Sequence, residues 1–271
     1  MIVALVRELA GRYDVEAVGL GAPGFVDAGR STVLFTPNLP WRDEPLRETV
    51  EKRCGLPAVV ENDANAAAWG EARFGAGRGE RFIVLITIGT GIGGGLVLDG
   101  VLYRGRFGVA AEIGHLNVIP GGRLCGCGNK GCWEQYASGR ALVREAQELA
   151  RRSPEEARRL LELGGGWPEG ITGPIVTEAA KAGDPAALRC FEVLAQWLGH
   201  GMADLAAILD PGLFVLGGGV SEAGEILRAP AAAEYEERLT GHGRRPLAEV
   251  RLAELGPEAG IVGAADLARL R

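Results

Sequence analysis

The sequence lacks a long hydrophobic run, a basic cluster and any low-complexity tract. Because no apolar stretch approaches the roughly 18 residues of a membrane span, we expect no membrane partner. The apolar opening, residues 1–6, meets Arg7 and Glu8 at once, which makes it too short for a secretory signal. A formal net charge of −6 without a basic run argues against nucleic-acid binding.

The composition is that of a folded globular protein, with 47% apolar and 24% charged residues. The 271 residues suit one large domain or two smaller ones. Glycine is the outlier: 43 residues is roughly twice the usual share, without the three-residue period of collagen. These glycines cluster in short loops, where bare backbone can approach a ligand.

Strand-like and helix-like segments alternate, which predicts an α/β fold with a partly parallel sheet. Asp99-Gly100 between two apolar runs predicts a hairpin turn, and three glycines soon after Phe74 predict a hinge. The predicted elements are helix 1–11, strand 15–20, strand 58–61, a helix to about Phe74, strand 82–89, hairpin 94–105, a long helix between Asp184 and Asp210, strand 213–216, strand 248–255 and helix 258–270.

The most specific motif is His115-x9-Cys125-x-Cys127-x4-Cys132. One imidazole and three thiolates form a tetrahedral ligand set that suits Zn²⁺, and a set of four leaves no open position, so a structural metal is favoured. Such clustering indicates metal ligands in a reducing cytoplasm rather than disulfides. The alternative is that the three cysteines are incidental.

Two glycine-rich loops follow predicted strands, at Thr87–Gly95 and Gly217–Gly219. Their amides could cradle phosphate oxygens, and Thr90 could add a hydroxyl. The first loop is not a Walker A motif, since no Lys-Ser/Thr follows it. The alternatives are a tight turn for the first loop and a close strand–helix crossing for the second.

Carboxylates occur at two further places. Asp63 lies in the segment 61–65 at the end of a strand, where open α/β folds bind ligands, although it could instead be a helix N-cap. Glu112, His115 and Glu134 bracket the cysteine motif, where rigidly held carboxylates could bind vicinal hydroxyls. The alternative is that both glutamates are solvated surface residues.

Together these motifs resemble those of the ROK family, sugar kinases and related repressors of the actin-like ATPase superfamily, and most closely its bacterial glucokinases. The resemblance covers nearly the whole chain in GLGAPGFVD (19–27), TPNLPW (36–41), VENDANAAAWGEA (60–72), TIGTGIGGG (87–95), AAEIGH (110–115), CGCGNKGCWE (125–134) and LGGGV (216–220). It implies a two-lobed, ribonuclease H-like α/β fold. The N-terminal lobe would comprise residues 1–74 with helix 258–271 packed on it, and the C-terminal lobe residues 75–257.

The resemblance also implies an activity: ATP-dependent phosphorylation of the 6-hydroxyl of glucose, with Mg²⁺ and a structural Zn²⁺. Asp63 would be the general base. The sugar would be bound by Gly24, Asn38, Asn62, Asp63, Glu112, His115 and Glu134. Thr90 and Gly91 would approach the donor phosphates, and Gly218 and Gly219 the adenosine. The zinc ligands would be His115, Cys125, Cys127 and Cys132. A cytoplasmic homo-oligomer, dimer or tetramer, acting in glycolysis is implied as well.

Family members begin with a strand and an Asp-preceded Gly-Gly-Thr loop that helps to hold Mg²⁺ and the γ-phosphate. This sequence contains no equivalent, so we expect a truncated N-terminal lobe. Two other functions stay open: a sugar-sensing regulator, and a non-catalytic sugar-binding remnant. Another hexose or an N-acetylhexosamine as acceptor, and polyphosphate as donor, stay open too.

Overall fold

The computed structural model describes residues 2–36 and 39–270. The helices in these ranges are α1 Ile2–Ala10, α2 Leu46–Cys54, α3 Asp63–Phe74, α4 Glu134–Ala137, α5 Gly139–Arg152, α6 Arg158–Leu163, α7 Gly173–Lys181, α8 Pro185–Leu209, α9 Glu225–Arg238 and α10 Ala259–Arg269. The strands are β1 Val18–Ala22, β2 Phe25–Val26, β3 Val33–Phe35, β4 Arg42–Glu44, β5 Ala58–Asn62, β6 Ile83–Ile88, β7 Ile92–Leu98, β8 Val101–Tyr103, β9 Leu213–Gly217 and β10 Glu249–Leu252.

The chain divides into two compact units. Unit 1 comprises residues 1–85, 94–111 and 254–271, and unit 2 comprises residues 86–93 and 112–253. The family resemblance implies lobes of residues 1–74 and 75–257. Their boundaries differ from those of the two units, and these lobes stay a prediction.

The strands form three sheets, with the orders β1-β5, β10-β9-β6-β7-β8 and β2-β3-β4. β1 pairs in parallel with β5, and β9 with β10. The β2-β3-β4 sheet is antiparallel, as is the pair β7-β8. The predicted α/β class with a partly parallel sheet is therefore confirmed, whereas the small antiparallel sheet was not anticipated.

In unit 1, glycines allow α10 to pack tightly on α3 and β1. A Cβ on Gly263 would lie 1.8 Å from the carbonyl oxygen of Ala66, and one on Gly19 would lie 2.1 Å from that of Ala264. The indole Nε1 of Trp69 donates to the buried carboxylate of Asp266 at 2.9 Å. This packing fixes the helix whose first residue is Asp63.

The β7–β8 hairpin turns as the sequence predicts. Asp99 and Gly100 have φ angles of 55° and 76°, the two positive values that a type I′ turn requires. The predicted hairpin is therefore confirmed, and it places the β7 backbone against α3, where a Cβ on Gly95 would lie 2.4 Å from the Cβ of Ala68.

In unit 2, the 25-residue helix α8 begins and ends as predicted. The Asp184 side chain caps it by accepting from the amide of Ala187 at 2.9 Å, and Asp210 ends it in a left-handed conformation. The buried indole of Trp133 donates to the Trp197 carbonyl at 2.7 Å, which secures the cysteine-bearing segment to this helix. None of the helices in residues 2–36 and 39–270 has the length and apolar character needed to cross a membrane.

Candidate functional site

The turn between β5 and α3 presents Asp63. The Asn62 side chain caps α3 by accepting from the Asn65 amide at 3.0 Å, and its Nδ2 donates to the carbonyl of Gly24 at 3.1 Å. The interpretation of Asp63 as the helix N-cap is therefore wrong, because Asn62 takes that role and Asp63 is the first helical residue. The capping leaves Asp63 at the carboxyl end of a parallel strand, where α/β folds bind ligands.

Two hydrogen bonds hold the Asp63 carboxylate. Its Oδ1 accepts from the Ala64 amide at 2.9 Å and from Asn62 Nδ2 at 3.1 Å. The side chain is open to solvent, yet the protein around it is dense enough that desolvation raises the pKa of the carboxyl, against those hydrogen bonds. A carboxylate with a raised pKa at a strand end is suited to accept a proton.

The predicted metal ligands of unit 2 come together. One ligand atom from each of His115, Cys125, Cys127 and Cys132 lies within 4.8 Å of the others. The Sγ atoms of Cys127 and Cys132 are 3.6 Å apart, as are Cys125 Sγ and His115 Nδ1. Tetrahedral Zn–S bonds of about 2.3 Å separate ligand atoms by roughly 3.7 Å, so this donor set fits a zinc ion.

The thiols of the cluster differ in acidity. Burial, with a hydrogen bond that the thiol donates to the Glu134 carboxylate, raises the pKa of Cys125 to about 12, and burial raises that of Cys132. Cys127 is exposed, and the pKa of its thiol is lowered. Desolvation acts to raise this pKa, but hydrogen bonds outweigh it, among them one from the Asn129 amide. Since thiolates are the metal-binding form, metal uptake would release protons here.

Glu134 connects the cluster to the first glycine loop. Its Oε1 is 3.0 Å from Cys125 Sγ, and a Cβ on Gly91 would lie 2.4 Å from its Oε2. Glu112 is exposed, with Oε2 3.9 Å from His115 Nε2. Glu134 is thus a half-buried residue held by the loops rather than a solvated surface residue.

A cavity of about 850 Å³ lies in unit 2 beside both glycine loops. Gly139, at the start of α5, donates to the Gly89 carbonyl at 2.8 Å, which brings the α5 N-terminus to the first loop. Amides at such a terminus favour anions. The residues lining the cavity are Gly89, Thr90, Gly139, Arg140, Leu142, Val143, Arg144, Gln147, Gly173, Pro174, Thr177, Glu178, Lys181, Gly219, Val220 and Glu222.

The second glycine loop combines both of the roles considered for it. A Cβ on Gly218, whose φ is +84°, would lie 2.7 Å from the backbone of Ile88, so this glycine serves close packing. Gly219 has no atom within 4 Å of its Cβ position and lines the cavity. The segment that follows, Gly219–Ala223, is a 3₁₀ turn rather than the expected start of an α-helix.

The structure groups the predicted site residues within each unit. Gly24, Asn62 and Asp63 meet in unit 1. Unit 2 brings the metal ligands to Glu134, and Thr90 to Gly219 around the cavity. Asn38 lies outside the described residues. The α5 and α7 side chains that line the cavity were not predicted, because no glycine pattern or ligand spacing marks them.

Comparison with known proteins identifies the family. A family model described as the ROK family matches residues 1–271. The chain belongs to the ROK family. It is 55% identical over 257 residues to a glucokinase of Streptomyces coelicolor, covering 95% of this chain and 81% of that protein. The sequence-based identification is therefore confirmed.

Solved structures and repressors extend the comparison. A crystal structure of a ROK family glucokinase from Streptomyces griseus, in complex with glucose and AMPPNP, matches with a TM-score of 0.92 and 57% identity, over 100% of this chain and 86% of that one. The expected α/β fold of this family is thereby confirmed. A xylose repressor from Caldicellulosiruptor bescii is 34% identical, over 77% of this chain and 51% of the repressor.

Proposed function

We propose that this ROK protein is a glucokinase that transfers the γ-phosphoryl group of ATP to the 6-hydroxyl of glucose. The observation that carries this is the match over the full chain, at 57% identity, to a glucokinase solved with glucose and an ATP analogue. The cavity of about 850 Å³ beside the two glycine loops has the size and the backbone amides that a nucleotide needs.

Asp63 is the proposed general base. Its carboxylate takes the proton of the sugar's 6-hydroxyl as that oxygen forms a bond to the γ-phosphorus and the bond to the bridging oxygen of ADP breaks. Phosphoryl transfer depends mainly on positioning and on stabilising charge. Mg²⁺ would neutralise charge at the nucleotide phosphates. No residue is proposed as its ligand.

The other roles are proposed residue by residue. The residues that would bind sugar hydroxyls are Gly24, Asn38, Asn62, Asp63, Glu112, His115 and Glu134. Thr90 and Gly91 would approach the phosphates, with Gly218 and Gly219 at the adenosine. The cluster of His115, Cys125, Cys127 and Cys132 would hold a structural Zn²⁺. A cytoplasmic homo-oligomer acting in glycolysis is part of the same proposal.

A sugar-sensing regulator is the second candidate, supported by the likeness to xylose repressors. Since the chain is 55% identical to the glucokinase and 34% identical to the repressor, the kinase is favoured. Release of ADP that depends on glucose supports the kinase, whereas glucose binding without ADP release supports the regulator or a sugar-binding remnant.

Asp63→Asn tests the proposed base. We expect turnover to fall by a factor of roughly 10² to 10⁴, as loss of a general base does, with little change in glucose affinity measured by calorimetry. Asp14→Asn, at an exposed carboxylate of the same unit, is the matched control and should retain full turnover. Unimpaired turnover in Asp63→Asn would remove Asp63 from this role.

A further inference from the structure

Behind the Asn62–Asp63 turn lies a buried carboxylate. The Glu61 side chain is only 1% exposed. Its Oε1 accepts from the backbone amide of Asn62 at 2.9 Å and from Nδ2 of Asn65 at 3.1 Å. One oxygen therefore holds both ends of the first turn of α3.

The other oxygen of Glu61 meets two arginines from separate segments. Its Oε2 is 2.8 Å from Nε of Arg104 and 3.2 Å from Nε of Arg30. The Arg104 side chain is only 10% exposed, and it also donates to the carbonyls of Asp27 at 2.9 Å and Ala28 at 3.0 Å.

These contacts tie the turn to the segment between β2 and β3, which contains Asp27, Ala28 and Arg30. The carbonyl of Arg30 accepts from the Val60 amide at 3.1 Å, so this segment also lies along β5. The Gly24 carbonyl in turn accepts from Asn62 Nδ2. The ion-paired Glu61 thus holds the two sides of the Asp63 turn in one arrangement.

Stability alone does not account for such a network. Buried ion pairs can often be replaced by apolar residues at no loss of stability, because desolvation offsets the attraction between the charges. What a network with directional hydrogen bonds does supply is a defined geometry, and a misplacement of about 1 Å at a reacting group can cost roughly a hundredfold in rate.

We propose that Glu61 and Arg104 are a positioning pair for the phosphoryl transfer, holding the Asn62–Asp63 turn against the segment between β2 and β3 so that the Asp63 carboxylate faces the acceptor hydroxyl. This rests on the proposed function of Asp63. Neither residue touches substrate in this proposal, because both act through the turn.

The test compares Glu61→Gln, Arg104→Met and the double variant. We expect kcat of each single variant to fall by roughly 10- to 100-fold, while KM for glucose changes by less than about threefold, since ground-state contacts are retained. The kcat of the double variant should be no lower than that of the more impaired single variant, because the two residues act as one unit. Hydrogen exchange at the amides of residues 62–65 should become faster in all three.

Asp266→Asn is the matched control. Asp266 is a similarly buried carboxylate on α10 that accepts from Trp69 of α3 and from Arg269. This variant should lower the melting temperature but leave kcat within about twofold and exchange at residues 62–65 unchanged. The proposal is overturned if Glu61→Gln behaves in the same way, or if its exchange at residues 62–65 stays protected.

The proposed function is judged separately from this pair. A wild-type chain that phosphorylates no glucose contradicts the glucokinase proposal, and the exchange measurement still decides whether Glu61 orders the turn. Turnover by the wild type together with unimpaired turnover in Glu61→Gln contradicts the positioning role alone.

Discussion

Unit 1 fixes its candidate base with charged side chains, whereas unit 2 arranges its candidate ligands around sulfur atoms and bare backbone. In unit 1, the buried carboxylate of Glu61 is ion-paired with Arg104. The buried carboxylates of Glu71 and Asp266 accept from a backbone amide and from Trp69 respectively. In unit 2, the cysteine cluster is adjacent to Glu134, which in turn meets the Gly91 backbone.

The difference has a physical consequence. The buried Glu61 carboxylate is held by hydrogen bonds to one oxygen and ion pairs at the other, so the chain itself orders the Asp63 turn without an added ligand. The thiols of unit 2 would gain their full order only when the proposed metal replaces their protons. The two units should therefore respond differently to loss of metal and to added volume between helices, and two carboxylates within unit 1 should respond differently to pH.

Cys127→Ser should have the largest effect, and in unit 2 alone. Loss of a ligand's hydrogen-bonding partner typically lowers metal affinity by roughly 10- to 100-fold. Loss of the ligand itself should lower the zinc affinity by more than that. The segments carrying Glu112 and Glu134 should loosen, so glucose binding should weaken too. Zinc content by atomic absorption and glucose affinity by calorimetry measure both effects.

Cys54→Ser, at a cysteine of unit 1 outside the cluster, is the control and should retain the metal. If glucose affinity stays at the wild-type value in Cys127→Ser after the metal has been lost, the cluster does not organise the sugar-binding residues.

Gly263→Ala should have the next largest effect, in unit 1. Its Cβ would lie 1.8 Å from the backbone oxygen of Ala66, which cannot move without shifting α3. We expect a destabilisation of about 1–3 kcal/mol, with zinc content unchanged. Gly260→Ala is the control, because its Cβ would lie 3.8 Å from the Asp63 carbonyl, an ordinary contact. Chemical denaturation should show this variant stabilised by up to about 1 kcal/mol.

The smallest expected effect is on the pH dependence of stability, to which Asp63 and Asp266 of unit 1 contribute with opposite signs. Burial opposes ionisation of Asp266, but hydrogen bonds from Arg269 and Trp69 outweigh it and lower its pKa. Its stabilisation is therefore present above the unfolded pKa and is lost as pH falls through the folded pKa. Asp63 has the opposite sign: since desolvation by the surrounding protein raises its pKa, its stabilisation is present below the unfolded value and is lost as pH rises through the folded one.

Melting temperatures at pH 7 test these signs. Asp63→Asn should melt above the wild type, because it removes a carboxylate that the fold disfavours when ionised. Asp266→Asn should melt below it, by an amount that corresponds to about 1–3 kcal/mol for lost hydrogen bonds to a charged group. Equal shifts of the same sign would contradict the contrast between these two carboxylates.

Local signals account for the elements that the sequence predicted well. Asp184-Pro185 and Asp99-Gly100 encode a helix start and a turn through their own backbone preferences, and both are confirmed. The β2-β3-β4 sheet was missed because its strands are two or three residues long and carry no clear alternation. Asp63 was compatible with capping by spacing alone, and only the hydrogen bonds of Asn62 decided between the two residues.

The sequence by itself determined which residue types could do chemistry: a Cys₃His spacing whose donors suit zinc, glycine loops after strands, and an aspartate at a strand end. Tertiary structure alone decided which distant side chains support them. Arg30 and Arg104 are separated by more than 70 positions yet meet at Glu61, and no periodicity encodes such a meeting. Backbone preference acts over a few residues, whereas burial of a charge is satisfied by whichever partner the folded chain brings within hydrogen-bonding distance.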